Sequence, residues 1–188
     1  ILHYFSNAYK VFFKALLMEY EINDLQLIIR FISKGEDDKA AKAHFLHSNK
    51  YSKLPYEKLI ECKDIAQFVE LLKGSIYYDA LKTLTHEDII TREFHMEMKL
   101  YILFFKTLIE KSAKLSSKDH ELVKDIIGMK IDLLNVQWIY RATKHYAIFP
   151  EEILIYSLPY GRRIDYKKLK KLCYSQSLDE FKHLANKY

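Results

Sequence analysis

Apolar residues recur at helical spacing along nearly the whole chain. Phe68, Leu71 and Leu72 follow one another on a single helix face, as do Phe181, Leu184 and Ala185. Extended along the sequence, this pattern predicts helices near 3–34 (with a candidate break near 19), 37–46, 55–62, 65–73, 75–83, 86–114, 117–145, 150–157, 165–174 and 178–187. Two long ones, 86–114 and 117–145, meet at Leu115, Ser116 and Ser117 and are expected to form an antiparallel hairpin. Ser116 and Asp119 there have capping-box spacing. The punctuation agrees with these limits. Gly35 and Gly74 each follow a run with a Lys in its last turn, and Pro55, Pro150 and Pro159 fall between periodic segments, where a missing amide hydrogen costs little.

The pattern also repeats. EINDLQLIIR (21–30) returns 111 positions later as DLLNVQWIYR (132–141). ALLM (15–18) faces IIGM (126–129) at the same offset, PYEKL (55–59) answers DYKKL (165–169), and DIAQFVELL (64–72) answers SLDEFKHLA (177–185). The last pair opens on matching boxes, Asp64 with Gln67 and Ser177 with Glu180, each suited to capping the free amides of a first turn. Caps, breaks and apolar faces in one order predict a duplicated helical unit, over 1–110 and 111–188, the second incomplete at its C-terminal end.

Composition narrows the class to all-α. Of 188 residues, 49% are hydrophobic and 29% charged, enough for a packed core. Only four Gly and three Pro are present, too few for the turns of an all-β chain. The most apolar stretch, LYILFF (100–105), is short and flanked by Lys99 and Lys106, so no segment is expected to span a membrane. A start at Ile1 and a stop just after the second capped helix suggest an excised fragment.

Candidate chemistry is sparse. Cys62 and Cys173 fall at corresponding places and read as buried reduced thiols. His44 and His47 have a helix spacing able to hold a metal, but no acid or Cys completes the set, and surface histidines explain them. Glu36, Asp37 and Asp38 read as the start of the next helix, where acids favour the dipole, rather than as a magnesium site, and Thr85, His86, Glu87 and Asp88 likewise read as a helix start rather than as the His-Asp pair of a metal hydrolase. No metal, cofactor or catalytic group is expected. Arg162, Arg163, Lys167, Lys168, Lys170 and Lys171 form a basic segment in which Leu169 and Leu172 face the core. This reads first as a solvated helix face and otherwise as a site for an acidic protein partner or an anionic surface. A net charge of +5 without a groove-reading motif gives no support to nucleic-acid binding.

The repeated decapeptide places Glu21 and Asp24, and in the second copy Asp132 and Asn135, on one helix side, while Leu133, Leu134, Val136, Trp138 and Tyr140 leave hardly any polar stripe. The helix is therefore expected to be buried all round, its acid and amide groups tied to neighbouring helix ends or turns. Arg30 and Arg141 lie away from these acids and are expected to pair with another helix or to face a partner.

The segments 132–146, 21–31, 64–81 and 157–169 resemble the C subunit of archaeal and bacterial A/V-type ATPases, a relative of the d subunit in eukaryotic V-ATPases. Asp132, Asn135 and Arg141 fit that family's Asp, Asn, Ile and Arg pattern, and Pro159, Tyr160 and Gly161 fit its Pro-Gly loop. The first copy differs, with Glu21 and Asp24 in place of Asp and Asn and no Gly in the loop 48–55. The resemblance implies a fragment of a funnel of three pseudo-symmetric helical domains. It implies a protein without an active site that joins the central-stalk subunits to the membrane proteolipid ring, transmits torque and couples proton or sodium ion transport. It would be peripheral to the membrane on the cytoplasmic side. A helical-repeat scaffold or adaptor for an unrelated protein partner shares the same composition and repeat, and a helical hydrolase would need the named His and acids to converge in a pocket.

Overall fold

The computed structural model describes residues 2–5, 7–35, 44–47, 50–146 and 148–188, with the backbone alone for 86–94. The described residues form helices joined by turns and irregular segments, and no strand occurs among them. The chain divides into two compact units, 1–111 and 112–188.

In the first unit, α1 (Asn7–Leu16) and α2 (Met18–Lys34) are separated at Leu17, so the break falls two residues before the expected place. The amide of Leu17 reaches the Lys14 carbonyl and that of Tyr20 the Leu17 carbonyl, three-residue spans tighter than an α-helical turn. A separate 3-10 turn occupies Leu2–Tyr4. Helix α2 ends at Gly35, whose φ of 65° is left-handed and therefore suited to glycine. Three short helices follow, α3 (Tyr56–Ile60), α4 (Ile65–Leu71) and α5 (Tyr78–Leu81), then the long α6 (His86–Ser112). Helix α4 starts on the expected cap, the Asp64 carboxylate accepting the Gln67 amide, while the Gln67 side chain accepts the amide of Lys63. Ile22, Leu25, Ile28 and Ile29 of α2 are fully buried, with Leu59, Phe68, Leu72 and Phe104 among the side chains of the same unit's core.

The expected helix 37–46 falls for the most part outside the described residues. Its end, 44–47, is not helical. Instead this segment runs past α2, where Asp24 takes its backbone amides.

The second unit is built on α7 (Ser117–Arg141), which begins on the Ser116 hydroxyl accepting the Asp119 amide. Beyond Arg141 the expected helix widens into a π turn, Ala142–Tyr146. Then come α8 (Pro150–Ile155), opened by proline at its first turn, α9 (Tyr166–Cys173) and α10 (Leu178–Lys187). Helix α10 repeats the capping of α4: Ser177 accepts the Glu180 amide, and the Glu180 carboxylate accepts the amide of Gln176. Ile131, Leu158, Leu172 and Phe181 anchor this core.

Helix α7 corrects one expectation. Ile127, Ile131, Trp138 and Ile139 are buried, but Leu133 is 73% exposed, and Leu122, Ile126 and Met129 are exposed with it. The composition of the helix does not distinguish a face that packs from one that stays open, so apolar residues all round did not mean burial all round.

Candidate functional site

Two of the polar groups on α7 hold the loop between α8 and α9. The amide of Asn135, 1% exposed, makes both available bonds to the backbone of Leu158: its nitrogen donates to the carbonyl at 3.0 Å and its oxygen accepts the N–H at 2.8 Å. One turn earlier the Asp132 carboxylate accepts three consecutive backbone N–H groups, those of Arg162 at 3.1 Å, Arg163 at 2.7 Å and Ile164 at 3.1 Å. Three amide donors converging on one carboxylate solvate its charge inside the protein, which is what allows it to be buried.

The loop can come this close because two glycines leave room. A Cβ on Gly161 would collide with Asp132 Oδ1 and stand 2.8 Å from the Ile164 carbonyl oxygen, and one on Gly128 of α7 would stand 3.0 Å from both the Cβ and the backbone nitrogen of Arg162. The Arg162 amide also reaches the Gly128 carbonyl, at 3.3 Å. Between Pro159 and Gly161, Tyr160 takes a left-handed φ of 71° with its ring half exposed. A bulky side chain in that region stores strain, held here by the bonds on either side of it.

In the first unit the corresponding groups behave differently. Asp24, 1% exposed, accepts the amides of Leu46 at 2.8 Å and His47 at 2.7 Å, and its Oδ2 also meets His47 Nδ1 at 2.7 Å. The imidazole stacks on Tyr56 with ring centroids 3.5 Å apart and planes 4° from parallel. His47 is thus a buried partner of an acid and not a surface histidine; its side chain is 8% exposed. Glu21 accepts the Tyr77 hydroxyl. Burial, with the Glu21 charge beside it, pushes the Tyr77 phenol far up; burial does the same to Tyr56, with Glu21 and Asp24 adding to it. Arg30 reaches Glu97 of α6 at 2.7 Å, while Arg141 is half-buried at the end of α7.

The basic residues cluster on the surface of the second unit. Arg162, Arg163, Lys167, Lys170 and Lys171 are exposed and Lys168 half-buried, while Leu169 and Leu172 point inward. Arg162 Nε meets Asp125 at 3.0 Å, Lys168 donates to the Arg163 carbonyl and lies over the Tyr188 ring, and Lys170 lies over Tyr174. Among the described residues no acid pairs with Arg163, Lys167, Lys170 or Lys171. Residues 112–188 hold fourteen Lys and Arg against nine Asp and Glu, whereas residues 1–111 hold sixteen of each, so the net charge of +5 belongs to the second unit. The Tyr174 hydroxyl donates to Glu151 at 2.8 Å and holds that carboxyl below its usual range.

The remaining candidates do not converge. His44 is exposed in a turn, away from any helix spacing with His47. Glu36, Asp37 and Asp38, and the side chains of His86, Glu87 and Asp88, lie outside the described residues. Among the described residues no group of three or more His, Cys, Asp or Glu is placed to hold a metal. Cys173 is buried, and that burial raises its thiol to about 11; Cys62 is half exposed, short of the expected burial. No described helix is long and apolar enough to cross a membrane.

Sequence reasoning missed Gly128 and Tyr77, and it named Tyr160 as part of the Pro-Gly loop without its left-handed backbone. Gly128 left a trace, a glycine inside a long helical pattern in register with Leu17, and such glycines mark close approach. The left-handed φ of Tyr160 left none, since tyrosine is rarely chosen for such a turn.

The ATP synthase (C/AC39) subunit family model matches residues 1–188. The C subunit of the A-type ATP synthase of Archaeoglobus fulgidus is 30% identical over 129 residues, covering 68% of this chain and 35% of that protein. Its counterpart in Methanosarcina mazei, also the C subunit of an A-type ATP synthase, is 21% identical over 166 residues, covering 88% of this chain and 45% of that protein. The chain therefore spans less than half the length of these curated relatives. No solved structure matches it. The match of that family model across every residue makes this chain a member of the ATP synthase (C/AC39) subunit family.

Proposed function

We propose that this chain serves as a non-catalytic linker of a rotary A/V-type ATPase, joining central-stalk subunits to the membrane proteolipid ring from the cytoplasmic side, and that its two units are copies of one helical module. The observation that carries the reading is the family match over the full length, and a loop tied to α7 by buried polar bonds supports it. A part that transmits torque needs stiffness, because a packed interior deforms little and passes strain on. The clamped loop supplies that stiffness beside a surface rich in cations without acidic partners among the described residues, which suits the polar loops and headgroups of a proteolipid ring. Arg163, Lys167, Lys170 and Lys171 are the cations assigned to this contact. Arg162, engaged by Asp125, and Lys168, engaged by Arg163 and Tyr188, are assigned to holding the face together.

Recruitment to ring-containing membranes tests the assignment. Reversing Lys167, Lys170 and Lys171 to Glu should lower recruitment at least tenfold and reduce its dependence on salt. Unchanged recruitment rejects this face. Failure of the unaltered chain to copurify with stalk subunits rejects the linker reading in favour of a scaffold for another protein.

A further inference from the structure

Tyr160 is held in a strained conformation that nothing inside the chain uses. Its φ of 71° lies in the left-handed region, which Gly or Asn enters readily and a bulky side chain does not. Glycine is present in the same loop, but at 161, where a Cβ would collide with Asp132. The backbone on both sides is fixed to α7, Leu158 by two bonds to Asn135, and Arg162, Arg163 and Ile164 by the Asp132 carboxylate. Yet the Tyr160 side chain is half exposed, and among the described residues it makes no hydrogen bond, ring contact or cation contact. A large aromatic residue that is strained, rigidly mounted and open to solvent gives up folding stability for a contact outside the chain.

Its surroundings give that contact a charge. On α9 the exposed Tyr166, Lys167, Lys170 and Lys171 fall within about 140° of the helix circumference at ~100° per residue, opposite the buried Leu169 and Leu172. Lys167, Lys170 and Lys171, with Arg163 in the loop before them, have no acidic partner among the described residues. Acidic side chains and lipid phosphates both satisfy such cations, whose flexible stems follow either one. Tyr160 separates the two. A fluid headgroup layer adapts to whatever side chain it meets, so fixing one tyrosine gains nothing there. A folded protein loop has a set shape, and a preorganised tyrosine beside an arginine is the kind of group that carries most of the affinity in such an interface.

Resting on the linker reading above, we propose that Tyr160 is the anchor of the basic face, and that this face docks on an acidic protein loop of the proteolipid ring and not on lipid headgroups.

Tyr160→Gly and Tyr160→Asn remove the ring while accepting the left-handed backbone, and Tyr160→Phe keeps the ring. Each variant of the 188-residue chain is tested for recruitment to ring-containing membranes and to protein-free vesicles of the lipids extracted from them, with denaturant titration alongside. The Gly and Asn variants should bind ring-containing membranes at least tenfold more weakly while their denaturation midpoints hold or rise, and the Phe variant should stay within about twofold of the unaltered chain. A lowered midpoint in both the Gly and Asn variants overturns the proposal whatever the recruitment, because the ring would then serve the fold. Recruitment to protein-free vesicles equal to that on ring-containing membranes assigns the face to headgroups and overturns it as well. Recruitment to ring-containing membranes that the Gly and Asn variants leave unchanged refutes the anchor and leaves the linker reading standing. No recruitment of the unaltered chain defeats the linker reading itself, and this inference with it.

Discussion

Helices α2 and α7 carry the same ten-residue pattern and use it on the chain that passes them, but with different chemistry. In α2 a single carboxylate, Asp24, takes two amides and an imidazole, and that imidazole is braced by Tyr56. In α7 the work is divided: Asn135, in register with Asp24, holds Leu158 through a neutral amide, and Asp132 holds three amides further along. Glu21, in register with Asp132, turns instead to Tyr77. Helix position fixes which stretch of backbone lies within reach. Whether that backbone comes close enough to bond is set by the loop, and in the second unit Gly161 leaves open the space beside Asp132 that a Cβ would fill.

The largest effect is expected where three donors depend on one acceptor. Asp132→Ala should cost about 3 kcal/mol of stability and deprotect the amides of residues 162 to 164 in hydrogen exchange, leaving those of Leu46 and His47 slow. A loss well under about 1 kcal/mol would break the comparison, because the clamp would then be ornamental. Next, Gly161→Ala should cost about 2 kcal/mol, since its methyl group would displace either the Asp132 carboxylate or the Ile164 carbonyl. Denaturant titration with unchanged midpoint would contradict the close approach.

Asp24→Asn gives the first unit the amide that the second uses at this position. It should still cost about 1–2 kcal/mol, because an amide with one oxygen cannot serve two backbone donors and an imidazole as a carboxylate does. Neutrality there would mean that the two hubs are interchangeable. Opposite in sign, Tyr160→Gly should stabilise the second unit by about 1 kcal/mol, by relieving the left-handed backbone at φ 71°.

The smallest test uses the two cysteines. A folded-state value of about 11 means that native Cys173 keeps its proton above the range where the unfolded thiol loses it. This contribution is intact below about pH 9 and is lost as pH rises toward 11; Cys173→Ala should flatten that part of the stability profile. Alkylation at mildly alkaline pH should label half-exposed Cys62 well before Cys173. Equal rates would show that the two sites have equal access.

Much of the fold could be read from the residues. The boxes Asp64 with Gln67 and Ser177 with Glu180 start helices α4 and α10 where expected, and Gly35 ends α2. Local features of this kind are satisfied within four or five residues and so leave a local signature. The break at Leu17 and the π turn after Arg141 lie one or two residues from, or beyond, what periodicity suggests, since small shifts in hydrogen-bond register barely alter an apolar pattern. The site was less legible. That Asp132 and Asn135 needed polar partners followed from their place on an apolar helix, but the partners are backbone groups 23 to 32 residues away, and a backbone amide carries no side-chain signature.

By itself the sequence determined that this protein is helical, where most of its helices start and stop, and which polar residues sit on the apolar helices. These follow from spacing, capping and the near absence of glycine and proline. Only the tertiary structure decided that His47 is buried against Asp24, that Gly128 and Gly161 let a loop close on a carboxylate, and that Leu133 is open where Ile22 is covered. Each of these depends on what a distant segment brings near, and burial is a property of the pair of surfaces that meet, never of one residue alone.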